Sequence, residues 1–390
     1  MTENFFLSNL KKNLPFINAI FDSASNNGII IFNKKLKTIL WNYGANVLTQ
    51  YKKNNIKNFE KFISIIQDPK QKNSIKESID RQADWHGELE IMKSDQSLIS
   101  IKIMISIIKN RKSDILGILV IFNDITEKIL LEEKSRFNQI IIKRDLEFAK
   151  KIQELTLSKS FPIRDQIKFD LKYFPSEQLS GDFYYTFNLD TNHVAVCIGD
   201  VSGHGVAASL LSTYARNSIS PKLLFRNRYM IAKPKEVLTD LNFKLLNLQL
   251  KEAPFLTILY SIVDIKNFEL TYSNAGAHKV IIINPDTGEL KKLGENSFAL
   301  GWFKEAIYKD DSIKLNNKDR LVYFTDGVIE VFNQKGELFG EDRLCHILTE
   351  NADKEISEMN NKILESLSEF SGNIKFNDDI TILICEICKI

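Results

Sequence analysis

Polar and apolar residues alternate over Ser100-Ile101-Lys102-Ile103, and the continuation keeps the period of two, the pattern of a strand with one buried face. Around this segment the pattern predicts strands over Gly28 to Phe32 and Lys37 to Trp41, joined by the polar turn Asn33-Lys34-Lys35. A helical stretch, Leu14 to Ser23, precedes them, and short helices occupy Gly44 to Ala83. Three strands follow: His86 to Lys93, Leu98 to Lys109 and Ile115 to Phe122. Two strands, then helices, then three strands suit one antiparallel sheet with helices packed on one face.

From Thr126 to Ser160 the pattern changes. There is no Gly or Pro, and Leu130, Phe137, Ile141, Phe148, Ile152 and Leu155 recur at mostly helical spacing among many charges. This predicts one long amphipathic helix, with an interrupted coiled-coil seam, that ends before Pro162. Beyond it, strands are expected over His193 to Gly199, Thr257 to Asp264, Glu269 to Asn274, Lys279 to Asn284, Arg320 to Thr325 and Ile380 to Ile387. Helices are expected over Val206 to Ser218, Pro234 to Gln249 and Ile356 to Phe370. Strands that do not alternate regularly with helices argue for antiparallel sheets flanked by helices, an α+β chain.

Composition narrows the function classes. The 390 residues suit two or three domains. The formal net charge of +2 and the absence of a basic arm argue against nucleic acid as a partner. The longest apolar runs, such as Ile115 to Phe122, are far short of a membrane span, and Met1 to Lys12 has no uninterrupted apolar core for a signal peptide. The four cysteines, Cys197, Cys345, Cys385 and Cys388, are too few and too clustered for a disulfide framework. Cys385 and Cys388 have CxxC spacing without a second pair to complete a zinc site. Ordinary thiols in a reducing, cytoplasmic location are expected.

The chemistry lies in where the aspartates fall. Asp182 follows Gly181 after a polar loop, Asp200 ends an apolar strand, Asp326 ends another, and Asp378 and Asp379 begin a third. If these strand ends converge, their charges repel unless a cation sits among them. Magnesium and manganese take several hard oxygen ligands. Glycines at 199, 203, 205 and 327 let the backbone turn sharply beside Asp200 and Asp326, so that a carbonyl near Asp200 can also face the cation.

Two resemblances follow from these residues. Gly28-Ile-Ile-Ile-Phe-Asn33, Trp41-Asn-Tyr-Gly-Ala45, Trp85-His-Gly-Glu88 and the segment Gly117 to Glu127, with its exit Asp124-Ile-Thr-Glu127, resemble a PAS domain. Residues 19–125 would then form the sensor, 1–18 a helical lead-in and 126–160 a signalling linker. No cysteine is placed for a flavin adduct and His86 is the region's one histidine, so a ligand-free or dimerising PAS domain is expected.

Ala149-Lys-Lys-Ile-Gln153, Ser180-Gly-Asp-Phe-Tyr184, Gly199-Asp-Val-Ser-Gly-His-Gly205, Asn274-Ala-Gly276, Ala299-Leu-Gly301, Thr325-Asp-Gly-Val-Ile-Glu330 and Asp378-Asp-Ile-Thr381 resemble the sporulation-phosphatase branch of the metal-dependent serine/threonine protein phosphatases, the PPM superfamily. The resemblance implies that residues 161–390 form an αββα sandwich with two Mn or Mg ions at one sheet end. It implies Asp200 as the ligand of both ions, the Val201 carbonyl on one, and Asp326 and Asp378 on the other. Asp182 would serve the second ion, directly or through water, and Asp379 would support Asp378. It implies direct in-line attack of water on phosphoserine, without a phosphoenzyme. His204 keeps two readings, proton donor to the leaving serine oxygen or cap of the following helix. By family analogy the substrate is a phosphorylated STAS-type anti-sigma-factor antagonist and the chain a homodimer.

One departure from the family pattern is the loop Asn274-Ala-Gly-Ala-His-Lys279, where Ala277 stands at a common histidine position and the usual proline is absent. The competing reading is an inactive, PAS-dimerised binding protein that sequesters a signalling partner. A PAS histidine kinase is disfavoured, because the long helix has no histidine and no Gly-rich nucleotide-binding pattern follows.

Overall fold

Strands with both faces covered carry apolar residues at nearly every position, whereas edge strands need only one apolar face. The computed structural model of the chain follows that rule. It describes residues 19–157, 161–225, 228–250, 254–294, 297–372 and 376–389. The lead-in expected over 1–18, and residues 158–160 of the linker, lie outside the described residues. Residues 19–23 of the expected first helix are helical. The chain divides between Ile141 and Ile142 into two compact units.

In the first unit, β1 (Asn27–Asn33), β2 (Thr38–Trp41), β3 (Trp85–Met92), β4 (Leu98–Lys109) and β5 (Ile115–Asp124) form one antiparallel sheet in the order β2-β1-β5-β4-β3. Helices α1 (Tyr43–Thr49), α2 (Phe59–Ser64) and α3 (Pro69–Asp80) lie between β2 and β3 in sequence. The core beneath them is aromatic: Phe32 meets Phe59 edge-on at 5.2 Å, and Phe62 links Phe32 to Phe122. Asn42 caps α1 and is buried with its hydrogen-bonding capacity in use. Its Oδ1 accepts from Ile29 N and Ala45 N, and its Nδ2 donates to Phe21 O and Asn27 O. That network pins the first strand to the first helix.

The helix α4 (Thr126–Thr156) follows directly. Its second half belongs to the other unit, which holds two five-stranded antiparallel sheets. The first contains β7 (Phe183–Asn188), β8 (His193–Val201), β11 (Leu256–Asp264), β12 (Glu269–Ala275) and β15 (Asp311–Lys314), in the order β15-β12-β11-β8-β7. The second contains β6 (Ile167–Phe174), β13 (Val280–Ile283), β14 (Leu290–Leu293), β16 (Arg320–Phe324) and β17 (Ile380–Ile387), in the order β14-β13-β16-β17-β6. A separate hairpin joins β9 (Lys222–Phe225) and β10 (Arg228–Ile231).

Alternation sets the layers. Val194, Val196 and Ile198 of β8 pack with Leu321, Tyr323, Leu383 and Cys385 between the sheets. Their neighbours Ala195 and Cys197 face Ala208 and Leu211 of α5 (Val206–Ser218) and Val237, Leu238 and Leu241 of α6 (Pro234–Leu246). On the far side, Val322, Phe324, Ile382 and Ile384 face Leu344 of α7 (Gly340–Glu350) and Met359, Ile363 and Leu367 of α8 (Ile356–Ser371). The result is the expected helix–sheet–sheet–helix sandwich.

Several elements differ from the sequence expectation. β6, β7, β14, β15 and α7 were not anticipated, and β8 runs two residues further than expected, so Asp200 lies inside the strand rather than at its end. α6 stops at Leu246, three residues short of the expected Gln249.

Candidate active site

The site is built from strand ends in both sheets. β8 presents Asp200 opposite Thr257 of β11. The turn that follows is held by Ser202 N donating to Phe255 O at 2.9 Å before α5 begins. β7 pairs with β8 and starts at Phe183, so Asp182 stands beside the same end of the sheet. In the second sheet β16 ends at Phe324, and Asp326 opens a one-turn 3-10 helix, Asp326–Val328. Asp378 and Asp379 immediately precede β17, the neighbour of β16.

Two glycines allow these pieces to meet. A Cβ on Gly327 would stand 1.9 Å from Asp379 O, so only glycine lets the Asp326 turn lie against the Asp378-Asp379 segment. A Cβ on Gly181 would meet Val201 O at 3.0 Å and Asp200 Oδ1 at 3.1 Å. The Val201 carbonyl oxygen and the Asp200 carboxylate therefore face the same small space beside Gly181.

Asp182 ties the sheets together. It is 1% exposed. Its Oδ2 accepts from Thr325 Oγ1 at 2.8 Å and from Thr381 Oγ1 at 2.5 Å, both in the second sheet's strand ends. Its Oδ1 is buried without a hydrogen-bond partner. The adjacent Asp200 is another acid, able to bond Asp182 only when one of the two holds a proton. Asp379, also buried, is saturated by donors: Ser176 N on Oδ1 at 2.7 Å, and Ser180 Oγ and Gly181 N on Oδ2 at 2.7 and 2.8 Å. It holds the turn in front of β7 onto the start of β17.

The electrostatics record how close the acids are. Burial, and then the charges of Asp326 and Asp378, push the Asp200 carboxyl up to about 8. Burial and Asp200 hold Asp182 well above the usual carboxylate range. Burial and Glu330 raise Asp326, while His278 opposes them. Burial, with Asp326 and Asp379 among the nearby charges, raises Asp378. Among the described residues no three His, Cys, Asp or Glu side chains converge tightly enough to enclose a metal ion as they stand. The donor set nonetheless fits a hard divalent cation. It offers acids that destabilise one another, a carbonyl oxygen facing the same space, and a buried carboxylate oxygen without a donor.

The histidines sit at the periphery. His204 is 79% exposed, with Nδ1 3.2 Å from Glu177 Oε1, and its charge acts on Asp378. The cap of α5 is Gly205, with no side-chain cap hydrogen bond, so the helix-capping role for His204 has no contact to support it. His278 stacks on Phe324 at 5.5 Å and acts on Asp326. The loop before it is closed by Asn274, whose Oδ1 accepts from Ala277 N and whose Nδ2 donates to Ala277 O.

Sequence reasoning missed Thr325 and Thr381 as the anchors of Asp182, and Glu177 as the partner of His204. The thread was present for the threonines: both stand in the Asp-bearing segments Thr325-Asp326 and Asp378-Asp-Ile-Thr381.

The family model described as Stage II sporulation protein E (SpoIIE) matches residues 190–387, just over half of the chain, and a PAS-domain model matches residues 26–127. Protein IcfG of Synechocystis sp. is 28% identical over 323 residues, covering 76% of this chain and 50% of its own. Phosphoserine phosphatase RsbP of Bacillus subtilis is 29% identical over 246 residues, covering 62% of this chain and 58% of its own. The chain thus spans only about half the length of these curated relatives. Among solved structures, the SiaA-PP2C domain of Pseudomonas aeruginosa aligns with a TM-score of 0.56 at 21% identity, over 64% of this chain and 98% of that one. The RsbU and RsbW domains of a Mycobacterium tuberculosis protein align with a TM-score of 0.50 at 20% identity, over 60% and 63%. At those identities the likeness is one of fold.

Proposed function

Because the chain belongs to the Stage II sporulation protein E family, we propose that its second unit hydrolyses phosphoserine in a protein substrate with manganese or magnesium, under control of the PAS unit. The observation that carries this reading is the set of mutually interacting acids around Asp200, together with the unpartnered buried oxygen of Asp182.

In this reading Asp200, Asp326, Asp378 and the Val201 carbonyl would hold two ions, with Asp182 completing the set directly or through water. Bound manganese or magnesium supplies Lewis acidity, which lowers the pKa of water and offsets charge on the phosphoryl group. The protein's own contributions are separate. The threonines 325 and 381 occupy one oxygen of Asp182 and leave Oδ1 available to a cation. Asp379 orients the turn that carries Asp182. His204, exposed at the mouth and paired with Glu177, donates a proton to the leaving serine oxygen.

The substrate proposed is a phosphorylated STAS-type anti-sigma-factor antagonist, the step most dependent on family analogy. The apolar residues of α4, with Leu130 at 59%, Phe137 at 64% and Phe148 at 66% exposure, support pairing with a second copy of the chain. α4 would transmit the PAS unit's state. Among the described residues no helix is long and apolar enough to cross a membrane, in keeping with the proposed cytoplasmic location.

The test is phosphate release from a small aryl phosphate and from a phosphoserine STAS protein, for wild type and Asp326→Asn. Metal-dependent release that disappears in the variant supports the enzyme. No release from either substrate with either metal supports the sequestering, inactive protein instead.

A further inference from the structure

The motif Ala149-Lys-Lys-Ile-Gln153 has no part in the chemistry above, yet the structure gives its last residue a distinct place. α4 leaves Phe148, Ile152 and Leu155 exposed, and Gln153 is its buried residue. A buried carboxamide is costly unless both ends are bonded. Here both are, to one backbone residue: Nε2 donates to Ser180 O at 2.7 Å and Oε1 accepts from Ser180 N at 3.2 Å. The two bonds grip one residue through both of its flanking peptide groups, which fixes its orientation as well as its position.

Ser180 is the hub of the turn that carries Asp182. Its hydroxyl donates to Asp379 Oδ2 at 2.7 Å and accepts from Asp182 N at 3.1 Å. The next residue, Gly181, donates to the same Asp379 oxygen and abuts Val201 O and Asp200 Oδ1. The side chain of Asp182 is anchored separately, through Oδ2, by the second sheet's Thr325 and Thr381. Asp182 is therefore held from two directions, its backbone by α4 through Ser180 and its carboxylate by the threonines. Moving Ser180 would pivot the carboxylate about Oδ2 and displace Oδ1, the buried oxygen without a hydrogen-bond partner.

We propose that Gln153 is a positioning residue that sets the affinity of the acidic site for its divalent cation, by fixing the backbone of Ser180 to Asp182. This rests on the phosphatase reading and adds a residue that orients its site: Gln153 is the buried residue of α4 and the link from that helix to the Asp182 turn.

The experiment is calorimetric titration of Mn2+ into the metal-free full chain for wild type, Gln153→Glu and Gln153→Met, with thermal unfolding in chelator alongside. Gln153→Glu keeps the acceptor for Ser180 N but sets a carboxylate against Ser180 O. Gln153→Met keeps the shape and burial and loses both bonds. Both variants are expected to weaken Mn2+ binding by about tenfold, the range for losing a group that orients a ligand. Phosphatase kcat at saturating Mn2+ should return to within about twofold of wild type, and the substrate KM should not move. A merely structural role would lower the unfolding midpoint and leave the Mn2+ affinity of the folded protein unchanged. Unchanged affinity in a folded variant overturns the proposal. Weakened Mn2+ binding in a chain whose wild type releases no phosphate would uphold Gln153 and overturn the phosphatase reading alone.

Discussion

Replacing Asp200 by Asn should abolish metal-dependent activity and make the metal-free protein more stable. The Asp200 carboxyl rises from 3.8 to about 8 on folding, through burial first and then Asp326 and Asp378. Its folded value lies above its unfolded value, so protonation favours the folded chain. That contribution is complete below the unfolded value and is lost as pH rises through about 8. Near pH 7.5 the folded chain either carries a proton the unfolded chain has released or accepts the repulsion. At about 1.4 kcal/mol per pH unit, this amounts to no more than about 5 kcal/mol. The same repulsion is shared with Asp182, Asp326 and Asp378, which readjust when one charge is removed, so about 2 kcal/mol is the gain expected from the substitution. The introduced amide also offers a donor to the unpartnered Asp182 Oδ1. Urea unfolding in chelator, from about pH 5 to pH 9, reads this directly: the variant's advantage should widen with pH up to about 8 and then level off. With Mn2+ present the order should reverse, because only the wild type gains stability from binding. A variant equal to or less stable than wild type in chelator at about pH 7.5 would refute the electrostatic reasoning.

Other consequences are as specific. Gly327→Ala places a methyl 1.9 Å from Asp379 O and should cost about 2–4 kcal/mol in urea unfolding, with loss of activity from a displaced Asp326. His204→Ala should lower kcat on a phosphoserine protein by about 100-fold and on an aryl phosphate by less than about threefold, since a phenolate leaves without a proton and an alkoxide does not. Equal losses on the two substrates would remove His204 from proton transfer.

The parts of the fold that could be read from the sequence are those with two-sided burial or strict alternation. β4, β8, β11 and β17 carry long apolar runs or a period of two, because each is flanked by strands on both sides. β6, β7, β14 and β15 escaped notice because all four are edge strands, with one neighbour each. Leu290-Lys-Lys-Leu293 and Asp311-Ser-Ile-Lys314 offer four residues apiece, with exposed charges that leave no alternating apolar face to read. The acids themselves were legible, since Asp200, Asp326 and Asp378 each stand beside a glycine-rich turn or an apolar strand. How they are held was not. The bonds from Thr325 and Thr381 to Asp182 span 143 and 199 positions, and Gln153 reaches 27 residues to Ser180. Such contacts leave no local periodicity, because they depend on which strand ends the sandwich brings together.

The acids around Asp200 are proposed to form a metal-dependent hydrolytic site. Its most direct test is to strip the full chain with chelator, titrate Mn2+ back, and follow bound metal and phosphate release from a phosphoserine protein in parallel, for wild type and Asp378→Asn. Expected are two Mn2+ bound per wild-type chain, release that rises with their occupancy, and weaker binding with little release in the variant. Release that persists without metal, or that is unaltered by Asp378→Asn, would contradict it.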